Sequence, residues 1–152
     1  MPFAITLHLL AAVIWVGGMF LAYVCLRPAA AAVLEPPQRL TLWAELFRRF
    51  FRWVWALVAI LIASGHWMIL QFGGFATVGL HVHLMLVTGY IMMALFGHLY
   101  FAPFRGLKLA VASADWAAAG AQLNRIRRIV GINLVLGLVT IANAVGGRLL
   151  YA

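Results

Sequence analysis

Acid is what this sequence lacks most. Three carboxylates, Glu35, Glu45 and Asp115, stand against eleven Lys and Arg in 152 residues. Cysteine is as scarce. Cys25 is alone, which excludes an intrachain disulfide and a thiolate metal cage. Charge of either sign is thin, at 9% of residues, while 66% are hydrophobic and the mean hydropathy is +1.05. A soluble domain is about a quarter charged and about half apolar. So few charges cannot coat a water-soluble globule, and the chain reads as an all-α integral membrane protein. No internal repeat divides it, and its length suits one compact bundle.

Four apolar stretches reach the ~20 residues that a membrane-spanning helix needs. They cover about 3–26, 53–72, 80–101 and 129–150, and predict a bundle of four transmembrane helices forming a single domain, 1–152. The first stretch has no positive leader and exceeds the ~7–15 apolar residues of a signal peptide, so it is expected to stay as a helix. Pro36-Pro37 ends it. The following QRLTLWAELFRRFFR sets Leu40, Trp43 and Phe47 against arginines, as an amphipathic approach to the second span would. Ser113 or Asp115 is placed to cap a helix that continues into the fourth.

The basic residues orient the bundle. Arg27, Arg39, Arg48, Arg49 and Arg52 follow the first span, and Arg105, Lys108, Arg125, Arg127 and Arg128 follow the third. The connection QFGGFATVG has none, and Arg148 alone falls on its side. By the positive-inside rule the two basic connections face the cytoplasm, and the N- and C-termini face the non-cytoplasmic side. The net charge of +8 then serves orientation and contact with anionic membrane lipid, not nucleic acid. All three acids fall on the cytoplasmic side, away from the histidines described next. That disfavours a carboxylate-based hydrolase or di-iron centre.

Histidine inside a spanning segment is costly and marks a functional site by default. His8 lies in TLHLLAAVIWVGGMF, about five residues from the outer end of the first span. His66 lies about as far from the outer end of the second, and His81 and His83 open the third from the same side. At 1.5 Å per residue, these four fall within about one turn of a common depth. His98 stands alone near the opposite end. His81 and His83 are about 200° apart around a helix, so one of them, His83, is expected to face inward, with His81 at the mouth. Trp15, Gly18 and Met19 extend the His8 stripe, Tyr90 and Gly97 that of His83, and Ala59 and Ala63 adjoin His66. Such small and aromatic residues leave room for a flat ligand. Small residues also let helices pack closely, which suits Gly131, Gly137, Thr140, Ala144 and Gly147 of the fourth span at least as well. Asn133 and Asn143 are expected to bond across helices.

Two occupants fit such a layer. A b-type haem takes axial imidazoles from different helices and leaves its propionates to His81, Arg148 or backbone donors. The candidate cofactor-binding residues are therefore His8, His66, His81 and His83, with His8, His66 and His83 as metal ligands. Copper takes the same histidines with the thioethers of Met68 and Met85. Zinc suits the layer less, without cysteine or carboxylate nearby.

LHLLAAVIWVGGMF, the arginine-rich ELFRRFFRWVW and LHVHLML resemble, in order and span number, the CopD-like superfamily of four-helix membrane proteins. That group includes the copper-resistance protein D domain and the HemJ type of protoporphyrinogen oxidase. The HemJ-type pattern of His before Trp-x-x-Gly falls on His8, Trp15 and Gly18. Its His-x-Lys falls on His81 and His83, so His83 stands in the lysine's place. Its Tyr-Leu-Pro-Arg has only a loose echo in Tyr23 to Pro28. The resemblance implies haem b with electron transfer or porphyrin-linked oxidation by an oxidoreductase, a quinone or redox protein being the partner. Through its copper-resistance members it implies copper binding or transport instead. Either way the resemblance implies a bacterial inner membrane. A Gly-rich face is available for a homo-oligomer.

Overall fold

The described residues form helices joined by short breaks and one eight-residue connection, 72–79. The computed structural model describes residues 1–150, apart from the side chains of Arg148 and Leu150. The expected role of Arg148 therefore lies outside the described residues. Helix α1 (Pro2–Phe20) passes through a π-helical turn (Leu21–Leu26) into α2 (Arg27–Val33). After a short break come α3 (Pro36–Gln71), α4 (Leu80–Phe101), α5 (Pro103–Ala112) and α6 (Trp116–Leu150). Four stretches are long and apolar enough to cross a membrane: Pro2–Val33, Pro36–Gln71, Leu80–Ala112 and Trp116–Gly147. The amphipathic segment before the second span is one continuous helix with it.

Local chemistry sets these boundaries. Pro36 and Pro103 open α3 and α5, where a missing N–H costs nothing. Asp115 caps α6, its Oδ1 accepting the Ala118 N–H at 3.0 Å. The π turn answers Pro28, whose ring would press on the carbonyl four residues back. There the Arg27 N–H donates to Ala22, five residues back, in a wider turn. Helix α3 closes on Gly73 at φ +98°, with Gly73 N–H donating to Leu70 and Gly74 N–H to Ile69. Helix α5 closes in the same pattern, but with Ala114 at φ 54°. A β-carbon costs about 1 kcal/mol in that left-handed region. Ala114→Gly is therefore expected to raise the melting midpoint of the purified protein, by an increment of roughly 1 kcal/mol at most. A lowered midpoint would contradict the assignment.

Helix α1 packs on α3, α4 packs on α6, and α1 and α6 meet. Helices α3 and α4 approach chiefly through large side chains: Trp55 against Phe96 and Tyr100, and Phe51 against Phe96. Small residues on α6 bring the other helices close. A β-carbon on Gly137 would stand 2.8 Å from Val16 of α1, and one on Gly147 would stand 2.7 Å from the His81 β-carbon of α4. Asn133 Nδ2 donates to the Met92 carbonyl at 3.1 Å and Asn143 Nδ2 to the His81 carbonyl at 2.8 Å. Thr140 donates to Thr88 at 2.7 Å. These are the cross-helix bonds and close contacts that hold helices in a solvent as apolar as their own side chains.

Candidate functional site

The first histidine is seated by two small residues of α3. Half-buried His8 points its Nδ1–H at Ser64 Oγ, 2.9 Å away. Ser64 donates its own hydroxyl proton to the Ile60 carbonyl, so its oxygen is free to accept. Gly65 makes the room, since a β-carbon there would lie 3.3 Å from His8 Cε1. The stripe below His8 is core, as its spacing suggests: Ala11, Trp15, Val16 and Met19 are buried. Gly18 admits the Phe50 ring, which would meet any β-carbon at that position.

His66 follows Gly65 and turns towards α4. Its Nδ1–H donates to the Ile62 carbonyl at 2.9 Å, and its Nε2 accepts the Tyr90 hydroxyl at 3.0 Å. Phe75 covers it from the loop between α3 and α4, with ring centroids 6.2 Å apart. His83 donates Nδ1–H to the Gly79 carbonyl at 3.2 Å. The three partners thus select one tautomer throughout. Each ring spends its Nδ1 proton on an oxygen, which leaves the lone pair on Nε2. Metal-binding histidines are oriented in this way, and the second nitrogen's bond raises the basicity of the first.

Other expectations are corrected. It is His81 whose β-carbon packs against α6, at Gly147, while His83 turns back to its own helix. Tyr90 is exposed and a β-carbon on Gly97 would meet open space, so the His83 stripe is not an interior wall. The buried face of α4 is Met92, Phe96 and Leu99. This helix is apolar all round, and nothing in its pattern distinguishes the inner face. Ala59 and Ala63 are likewise exposed. His98 is exposed and apart.

His8 and His66 share a level through Ser64 and Gly65, but they lean to different neighbours. Among the described residues, no three His, Cys, Asp or Glu side chains are placed to hold one metal ion. A cavity of about 130 Å³ opens instead between Trp15, Gly18, Phe50, Phe96 and Asn133, and no histidine lines it. Ser64 was missed in the sequence, although a hydroxyl within an apolar helix, in the triplet Ser-Gly-His, was signal enough.

A family model described as copper resistance protein D, CopD, matches residues 44–146. The match takes in most of α3, all of α4 and α5 and nearly all of α6, and so His66, His81 and His83, while His8 precedes it. No curated protein and no solved structure gives a significant match.

Proposed function

Since the chain belongs to the copper resistance protein D family, we propose that it binds copper and passes it within the membrane. Copper is the cargo here. Imidazole and thioether are the donors that suit it, and His8, His66 and His83 with Met68 and Met85 supply both. The observation that supports this most is the shared tautomer, which presents an Nε2 lone pair on each of the three rings. Their separation favours a succession of low-coordinate stops over one closed cage. On this proposal Tyr90, which holds the His66 lone pair, yields it when the metal arrives. The excess of basic residues in two connections supports termini on the non-cytoplasmic side of a bacterial inner membrane. The family favours copper over haem b, and the aromatic cavity offers a porphyrin no histidine.

Purified protein loaded with Cu(I) and dialysed tests this. Wild type is expected to retain copper, His8→Ala and His66→Ala to lose most of it, and His98→Ala to behave as wild type. A colourful preparation with a Soret band and iron in place of copper would overturn the proposal in favour of haem.

A further inference from the structure

The opposite end of the bundle carries an unbalanced charge. Three elements meet there: the π turn, the start of α3 and the first half of α6. The π turn sets Tyr23 and Arg27 side by side, with the guanidinium 5.2 Å from the ring centroid. Helix α3 contributes Trp43 and α6 contributes Arg127, and the four line one small pocket. Trp43 is only 3% exposed, yet its Nε1–H has no acceptor among the described residues. The Nε–H of Arg127 is buried and equally without one. A buried donor left unmet costs about 1–3 kcal/mol, so two on one pocket call for an acceptor from outside the chain.

Charge narrows what that acceptor is. Arg127 lies within the fields of Arg27 and Arg39, and no carboxylate is among the groups acting on it. Among the described residues no carboxylate forms an ion pair with Arg27, Arg39 or Arg127. Glu45 binds Arg48 and Arg49 at 2.6 and 2.7 Å. Asp115 caps α6, and Glu35 is exposed at the start of α3. Water satisfies two N–H groups but leaves Arg27 and Arg127 together on one pocket wall without a counter-charge. An anion satisfies both. The pocket's room, about 20 Å³, is that of a single water-sized atom. One oxygen fits inside, with the rest of a larger anion at the mouth among the guanidinium groups.

We propose that this pocket is a phosphate-binding site, in which one phosphate oxygen accepts from Trp43 Nε1–H and Arg127 Nε–H while Arg27 and Arg127 share its charge. Arginine forks match phosphate geometry and keep their charge when partly buried. The phosphate comes either from an anionic phospholipid headgroup or from a free phosphate compound. A lipid would explain why an arginine cluster sits where the helices leave the apolar layer.

The test is a titration of the melting midpoint of the whole protein in neutral detergent. The additions are phosphatidylglycerol, phosphatidylcholine, inorganic phosphate and sodium chloride at matched ionic strength. A saturable rise with phosphatidylglycerol alone identifies the lipid, and a rise with inorganic phosphate as well identifies the phosphate group itself. Trp43→Phe keeps an aromatic ring in the core, smaller than the indole, and removes the N–H donor. It should weaken the apparent affinity about tenfold, as expected for a hydrogen bond to a charged acceptor. Arg127→Gln should abolish the response, and Arg105→Gln, on the exposed face of α5, should leave it intact. A response that chloride reproduces, or that is the same in Trp43→Phe as in wild type, overturns the proposal.

Discussion

With His8 a copper ligand as proposed, Ser64→Ala is expected to cut copper affinity about 10–100-fold while leaving the helices folded, the usual effect of removing a group that orients a metal ligand. Ser64 is not itself a strong donor to metal. It accepts the His8 Nδ1–H at 2.9 Å and is held by its own bond to the Ile60 carbonyl. Without it the His8 ring loses the one side-chain partner it has among the described residues, and the tautomer with its lone pair on Nε2 loses that support. Ser64→Thr keeps the hydroxyl and separates the two contributions. If orientation matters, Thr restores much of the affinity and Ala does not. Equal affinity in wild type and Ser64→Ala would mean that His8 is not a ligand or needs no support. Gly65→Ala offers a steric counterpart, because its β-carbon presses on His8 Cε1 at 3.3 Å. It should lower affinity less than Ser64→Ala does.

The number of spans and the break at Pro36-Pro37 were legible because they rest on composition and on one imino acid. A cap at Ser113 or Asp115 was legible too, and it is Asp115 that supplies it. The histidine layer was legible in part. Counting residues from helix ends brought His8 and His66 to one level, and the contact of His8 with Ser64 and Gly65 agrees. Rotation about each helix axis was not legible. In a lipid solvent the outer face is as apolar as the inner one, so α4 carries no stripe that separates Met92 and Phe96 from Tyr90 and Gly97. Rotation is set instead by close contacts such as Gly147 against His81, which no period in the sequence announces. The π turn was hidden for a related reason. The apolar run stops at about residue 26, yet α1 continues into α2 past Pro28 because one widened turn absorbs the ring.

Phe51→Ala is expected to be the most damaging single truncation in the aromatic core. Phe51 is 3% exposed and stacks on Phe47, with ring centroids 5.0 Å apart and planes 6° apart. Phe104 meets it edge-on at 5.0 Å and Phe96 at 5.4 Å. It therefore joins α3 to α4 and α5, where the helices have few other close approaches. In lipid the transfer part of the usual truncation cost is small, because the unfolded side chain rests in an apolar solvent too. The cavity part remains. Roughly 100 Å³ of lost ring at about 24 cal/mol per Å³ gives about 2 kcal/mol. Loss of the edge-to-face pairs adds about 0.5–1.5 kcal/mol for each pair that is not replaced. Phe101→Ala is the control, since that ring is 66% exposed and leaves no void. Unfolding in mixed micelles should show Phe51→Ala destabilised by at least 2 kcal/mol and Phe101→Ala by less than about 0.5 kcal/mol. Equal losses would mean that the rings of α3, α4 and α5 pack as independent lipid-facing groups, and that the joint between these helices lies elsewhere.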